Sequence, residues 1–96
     1  MNEANTAVIR PGKRFDFQAY RAFRDAYELE LAKSSVHCLV VDLQEVQYID
    51  SAALGILLLL RDKALAQNKM VELCNLHGVA KDVLEIANFH KLFKIN

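Results

Sequence analysis

The sequence has no excess of charge in either direction. Its 96 residues include 12 Lys and Arg against 12 Asp and Glu, for a formal net charge of +0, and no segment carries a long run of one sign. A nucleic-acid-binding protein usually presents a basic stripe, so we expect no direct contact with DNA or RNA. At 53% hydrophobic and 25% charged residues, the composition is that of a globular protein, and the length predicts a single domain, residues 1–96.

Apolar stretches long enough for a membrane span or an export signal are also missing. The longest apolar run, Ala52 to Leu60, is flanked by Asp50 and by Arg61-Asp62. It is far shorter than the about 20 residues that a membrane-spanning helix needs. The first residues, MNEANTAVIRPGKR, contain no apolar segment of a secretory signal peptide. These patterns predict a cytoplasmic protein that does not associate with the membrane.

The residues that build common catalytic and metal sites are few and scattered. The three glycines, Gly12, Gly55 and Gly78, lie far apart and form no phosphate-binding loop. Cys38 and Cys74 lie in apolar, strand-like runs, where intracellular cysteines are usually small buried core residues. The histidines show no metal-ligand spacing with them, and no nucleophile–histidine–acid arrangement is recognisable. We therefore predict a non-enzymatic protein without metal or cofactor.

What the chain does contain is a regular alternation of strand and helix patterns. Strands are predicted at 6–10, 36–43, 70–76 and 91–95, a short return strand at 13–15, and helices from 16 to about 34, at 51–67 and from 79 onward. The apolar run at 36–43 is typical of a strand buried on both faces. Alternating strands and helices favour right-handed crossovers. They predict an α/β sandwich, with a mixed, largely parallel sheet of four to five strands and about three to four helices.

Two helices show further detail. Asp16 has the position of an N-cap, with Phe15 and Tyr20 spaced as a hydrophobic staple around it. The last helix is predicted to bury a single apolar face, which consists of Val79, Val83, Ile86 and Ala87.

The helix at 51–67 is more apolar than packing on a sheet requires. One face is sufficient for that packing and consists of Ala53, Ile56, Leu57, Leu60 and Ala64. A second apolar row lies about 100° away around the helix and consists of Leu54, Leu58 and Leu65, with Leu59 also apolar. A helix that is apolar all round is either deeply buried or presents part of its surface to a partner. The pattern leaves both interpretations open.

The pair Asp50-Ser51 stands at the start of this helix. Both residue types are favoured N-caps, and capping alone explains such a pair. The alternative is that Asp50 caps the helix and Ser51 exposes its hydroxyl as a phosphoacceptor, where a phosphate gains from the helix dipole. The phosphate would place about −1.5 to −2 charges beside an apolar docking surface. Asp42, before this helix, is expected to end its strand by hydrogen bonding rather than to hold a metal.

The segment VVDLQEVQYIDSAALGILLLLRDKA resembles the signature of the STAS domain, the fold of bacterial anti-sigma factor antagonists. The shared elements are Asp42-Leu43, Val46, Ile49, Asp50-Ser51 and Leu54-Gly55. Upstream, GKRFDF resembles the family's turn and helix entry, and MVELCNLHGVAKDVLEIANFHKLFKI resembles its final strand, helix and strand. The segment GKRFDFQAYRAFRDAYE is most similar to the stand-alone members that act in swarming and biofilm control.

The resemblance implies a phosphorylation switch without enzymatic activity. Ser51 would be phosphorylated by a partner kinase, often the anti-sigma factor itself, and a PP2C-type phosphatase would reverse the reaction. The unphosphorylated form would bind the partner, an anti-sigma factor with serine kinase activity or a response regulator, as a monomer or weak dimer. The residues expected to contact that partner are Asp50, Ala52, Leu54, Gly55 and Leu58.

One feature departs from the family pattern. Many members continue Asp-Ser-Ser-Gly-Leu-Gly, whereas this chain reads Asp-Ser-Ala-Ala-Leu-Gly at 50–55. The change leaves Ser51 as the only hydroxyl at the helix start and stiffens the helix entry. The resemblance also allows a second function, that of a constitutive accessory subunit of an ABC-type lipid transport complex, for which the same helix would be the docking surface.

Overall fold

Residues 5–96, which the computed structural model describes, follow the predicted alternation of strands and helices; residues 1–4 of the predicted domain lie outside this description. The strands are β1 (Thr6–Ile9), β2 (Arg14–Phe15), β3 (Cys38–Asp42), β4 (Tyr48–Ile49), β5 (Met70–Cys74) and β6 (Lys94–Ile95). The helices are α1 (Tyr20–Leu31), α2 (Ser51–Ala66) and α3 (Gly78–Ile86), with 3-10 turns at Phe17–Ala19 and Phe89–Lys91. In the described range, no helix is both long and apolar enough to cross a membrane.

A parallel sheet with the strand order β1-β3-β5-β6 forms the centre of the fold. Each of its pairings within residues 5–96 is parallel, and the register places Leu39 beside Val71 and Val41 beside Leu73. These side chains belong to one hydrophobic core together with residues of α1, α2 and α3. The α/β class and the largely parallel, four-stranded sheet are therefore confirmed; no antiparallel strand joins this sheet in the described part of the chain.

The two faces of the sheet differ in burial. Leu39 and Val41 are fully buried, whereas Val40, between them on the opposite face, is half-buried and its neighbour on β1, Val8, is 48% exposed. The prediction that this strand is buried on both faces is wrong. The reason is that α1 and α2 both pack on the face of Leu39 and Val41.

The two cysteines lie on the less covered face. Cys38 and Cys74 are free thiols and half-buried rather than buried as predicted. Partial burial nevertheless raises the pKa of the Cys38 thiol to about 11, because the thiolate loses solvation. Cys38 is therefore a protonated, weakly nucleophilic side chain at neutral pH.

A second, two-stranded sheet lies beside the first. The predicted return strand forms as β2, but it pairs in parallel with β4, Arg14 beside Tyr48 and Phe15 beside Ile49, instead of returning on β1. Phe15 is fully buried, and its ring centroid lies 5.0 Å from that of Phe23 in α1. Burial of Phe15 under α1 fixes β2 at this place, so the return-strand prediction is wrong in its partner.

Helix α3 buries only part of the predicted face. Its buried residues are Ala80 and Leu84, whereas Val79 and Ile86 are 58% and 83% exposed. Val83 and Ala87 pack at the edge of the core. Packing on the core turns Ala80 and Leu84 inward and leaves Val79 and Ile86 at the solvent side. The spacing of the apolar residues alone does not fix this rotation of the helix.

Candidate functional site

Two strand-to-helix junctions lie side by side in this fold. β2 leads into Asp16 and β4 leads into Asp50, and each aspartate accepts a hydrogen bond of 3.2 Å at Oδ1 from the backbone N–H three residues later. The backbone N–H of Asp50 also donates to the carbonyl oxygen of Phe15, at 3.4 Å. The parallel pairing of β2 and β4 thus continues up to the two caps. Both predicted N-caps are confirmed.

Ser51 is the first residue of α2 and is exposed. Asp50 satisfies the backbone donor that an N-cap side chain would serve. The Ser51 hydroxyl is therefore not required for capping, and it stands at the positive end of the helix dipole. The capping residue and the exposed hydroxyl are therefore different residues, as the second interpretation requires. That Ser51 accepts a phosphate stays a prediction.

An apolar groove of about 470 Å³ runs along α2 from the turn that follows Ser51. On the α2 side it is lined by Ala52, Gly55, Leu58 and Leu59. The opposite side consists of Phe17, which is 71% exposed, and Tyr20 from the start of α1. Asp62 contributes the charged group of the lining. We call this surface the α2 groove.

Gly55 lines the α2 groove without a side chain. A Cβ at this position would meet no heavy atom within 4 Å, and the residue lies in a regular helix interior. Glycine in a helix is less stable than alanine by about 0.5–1 kcal/mol. Since neither a positive φ nor a close backbone contact requires this glycine, its effect is to leave its part of the groove lining without a side chain.

The five residues predicted to contact a partner fall into three groups. Ala52, Gly55 and Leu58 line the α2 groove. Asp50 lies at the start of the helix as its cap, outside the groove lining. Leu54 turns toward the protein interior and packs against the core. Their contact with a partner remains a prediction.

The sequence interpretation missed the α1 side of the groove. Phe17 had no assigned role, and Tyr20 was expected to form the hydrophobic staple with Phe15. No sequence signal distinguished the two phenylalanines that flank Asp16: residues two positions apart share a face in an extended segment, and it is the 3-10 turn beginning at Phe17 that changes the direction of the second one. The structure shows this difference, with Phe15 fully buried and Phe17 exposed.

Asp42 forms a separate polar corner at the end of β3. Its Oδ1 accepts hydrogen bonds from the Asn75 side chain at 2.9 Å and from the Gln44 N–H at 3.0 Å, and its Oδ2 accepts from Arg10 Nε at 3.1 Å. The Asn75 hydrogen bond is the main cause that lowers the pKa of Asp42. The predicted strand-ending role is confirmed. Within residues 5–96, no cluster of three or more His, Cys, Asp or Glu side chains has the arrangement of a metal site.

Comparison with solved structures supports the fold. The anti-sigma factor antagonist SpoIIAA in its unphosphorylated form superposes with a TM-score of 0.76 at 18% identity, over 100% of this chain and 83% of that one. Its phosphorylated form from Bacillus gives 0.73, also at 18% identity, over 100% and 86%. A sulfate transporter family protein from Wolinella succinogenes gives 0.77 at 11% identity, over 95% and 75%. At these identities the likeness concerns the fold.

Comparison of sequences identifies the family. A STAS-domain containing protein of Pseudomonas aeruginosa is 47% identical over 83 residues, which cover 86% of this chain and 80% of that protein. The sequence model of the STAS domain matches residues 2–96. The match includes both capped junctions and the whole of α2. The chain therefore belongs to the STAS domain family.

Proposed function

We propose that this protein is a non-enzymatic regulatory switch of the anti-sigma factor antagonist type. In its unphosphorylated form the Ser51 corner and the α2 groove bind a protein partner, and phosphorylation of Ser51 releases it. The partner is an anti-sigma factor with serine kinase activity or a response regulator, and a PP2C-type phosphatase resets the switch. The protein acts in the cytoplasm, and its output is control of biofilm formation, motility or a stress response.

The observation that supports this proposal is that different residues cap α2 and expose a hydroxyl group at its start. Asp50 caps the helix, and Ser51 is left exposed beside an apolar groove. A kinase can reach this hydroxyl without opening the fold. A partner that covers the groove would in turn cover Ser51. Modification and binding therefore compete for one surface.

Charge explains how phosphorylation would cause release. Phosphoserine carries about −1.5 to −2 charges at neutral pH, and here it would stand next to the Asp50 carboxylate. A partner that covers the groove would have to remove water from this phosphate, which is unfavourable unless it supplies compensating hydrogen bonds. Release thus requires no change in the fold. SpoIIAA, whose fold is similar, is an anti-sigma factor antagonist with a phosphorylated and an unphosphorylated form.

The proposal is tested with the partner kinase, ATP and mass spectrometry, followed by binding measurements on variants. We expect phosphate on Ser51, constitutive partner binding by Ser51→Ala, and at least a tenfold loss of affinity for Ser51→Asp, which is about 1.4 kcal/mol. Ser35→Asp is the matched control, because Ser35 is also exposed but lies in the loop between α1 and β3. Phosphate on another residue, or equal affinity of Ser51→Ala and Ser51→Asp, would contradict the switch.

A constitutive accessory subunit of an ABC-type lipid transport complex is the second candidate. The fold itself does not distinguish the two, since it also occurs in a sulfate transporter family protein. The same Ser51→Asp variant separates them. Co-purification with a transport ATPase that survives this substitution would favour the accessory subunit, and loss of a kinase partner would favour the switch.

A further inference from the structure

Arg14 lies at the same corner of the molecule as Ser51. Its guanidinium stacks on the ring of Tyr48 with its central carbon 4.4 Å from the ring centroid. Nε and a terminal nitrogen both lie 3.2 Å from Oδ2 of Asp16. The arginine is therefore held in place over β4, although its side chain is 65% exposed.

The small sheet explains why these groups meet. Phe15 and Ile49 point into the core, and side chains alternate along paired strands. The residues on either side of them therefore share the opposite face of the small sheet; they are Arg14, Tyr48, Asp50 and the buried Asp16. Ser51 follows Asp50 directly. The Asp50 N–H to Phe15 hydrogen bond keeps the two strand exits adjacent at this point.

The charges at this corner are unequal. Asp16 and Asp50 supply two carboxylates, and Arg14 on β2 supplies a positive charge that pairs with Asp16. A phosphate on Ser51 adds a further double negative charge at the same place. A guanidinium binds phosphate through two parallel N–H donors, and a dianion attracts it more strongly than the single carboxylate of Asp16 does.

We propose that Arg14 is the phosphoserine-binding residue of this protein: on phosphorylation its guanidinium moves from Asp16 Oδ2 to the phosphate on Ser51. The inference rests on the proposed function in one respect, that Ser51 is the phosphoacceptor. Asp16 keeps its capping hydrogen bond, because that bond uses the other carboxylate oxygen, Oδ1. The exchange therefore leaves the capping hydrogen bond of Asp16 intact, and the phosphate is bound by Arg14 of β2.

The test is a ³¹P NMR pH titration of protein that carries phosphoserine at position 51, inserted during translation. A nearby positive charge favours the dianion and lowers the pKa of the phosphate, which is about 6 for free phosphoserine. Asp16 and Asp50 act in the opposite direction in every sample. We expect Arg14→Gln to raise the phosphate pKa by about half a unit to one unit, a shift reduced by solvent exposure.

Lys33→Gln is the matched control for loss of one positive charge. Lys33 lies just beyond the far end of α1, where it pairs with Glu30 of the last turn. This is about 18 Å along the helix from its start, so the phosphate pKa should not change. Arg14→Lys keeps the charge but loses the two parallel donors and should give an intermediate value. Circular dichroism establishes that each variant is folded.

Equal phosphate pKa values in the wild type and in Arg14→Gln would overturn the proposal, and so would equal shifts in Arg14→Gln and Lys33→Gln. Because the phosphoserine is inserted during translation, the titration needs no kinase. If a kinase phosphorylates another residue, the proposed function fails, whereas the titration still decides whether Arg14 binds a phosphate at position 51.

Discussion

The Asp42 corner and the Asp50-Ser51 corner show two uses of the same residue type after a strand. Asp42 is 7% exposed, and its carboxylate accepts hydrogen bonds from Arg10, Asn75 and the Gln44 backbone. Asp50 is half-buried, and its Oδ1 accepts a bond from its own helix. The first corner joins the ends of β1, β3 and β5. The second starts one helix and leaves the following serine exposed, which separates the residues that stabilise the fold from those available for regulation.

The largest effect on stability is expected at the Asp42 corner. Asp42→Asn keeps the size of the side chain but removes the charge and turns one acceptor into a donor, which faces the donors that surround it. We expect the free energy of unfolding to fall by about 1–3 kcal/mol, measured by urea denaturation at pH 7. Glu45→Gln, in the exposed loop that follows, should change it by less than about 0.5 kcal/mol. Equal stability of the two variants would contradict the difference between the corners.

A lower pH should reduce the difference in stability between the wild type and Asp42→Asn. Hydrogen bonding, first of all from Asn75, lowers the pKa of Asp42 in the folded protein. A group with a lowered pKa contributes its stability fully above its unfolded pKa, about 4 for Asp, and loses it as the pH falls through the folded value. The stability gap between the wild type and Asp42→Asn should therefore be constant from about pH 7 to 5 and shrink below about pH 4. A gap that widens in acid would have the wrong sign.

A smaller effect is expected at Asp50. Asp50→Ala removes the cap of α2 and should lower the free energy of unfolding by about 1 kcal/mol, as for other N-caps. Asn is also a favoured cap, so Asp50→Asn should restore most of this loss. Thermal unfolding of the three proteins measures the series. If Asp50→Ala were as destabilising as Asp42→Asn, Asp50 would hold more of the fold together than its own helix.

The smallest and opposite effect is expected in the α2 groove. Gly55→Ala should raise the free energy of unfolding by about 0.5–1 kcal/mol, because alanine favours the helix and its Cβ meets no atom within 4 Å. The added methyl group would lie in the lining of the groove, so partner affinity should fall while stability rises. Ile86→Ala, at an 83% exposed position of α3 outside the groove, should leave affinity unchanged. Unaltered partner affinity of Gly55→Ala would show that the partner does not contact the groove.

Much of this site could be predicted because its signals are local. An N-cap is recognised from the residue type and the apolar run that follows it, and both Asp16 and Asp50 are confirmed as caps. The strands at the centre of the sheet follow from short apolar runs. Asp42 could likewise be assigned to hydrogen bonding at the end of its strand, although its partners Arg10 and Asn75 could not be named from spacing.

The errors concern contacts between distant segments. The partner of β2, the buried face of α3 and the uncovered face of the sheet all depend on how finished elements pack on one another. In α3 either Val79 and Ile86 or Ala80 and Leu84 could have faced inward, and packing on the core buries Ala80 and Leu84. Periodicity shows that a helix has an apolar face, but where two faces are available it does not choose between them.

The sequence by itself determined that Ser51 begins an apolar helix behind a capping aspartate, since helix starts and strand runs are set by neighbouring residues. The tertiary structure decided what stands around that serine. Phe17 and Tyr20 complete the groove, and Arg14 reaches Asp16 over the ring of Tyr48, because β2 pairs with β4 and carries the start of α1 to the start of α2. That pairing joins segments that α1 and β3 separate along the chain, and burial of Phe15 and Ile49 in the common core holds it in place.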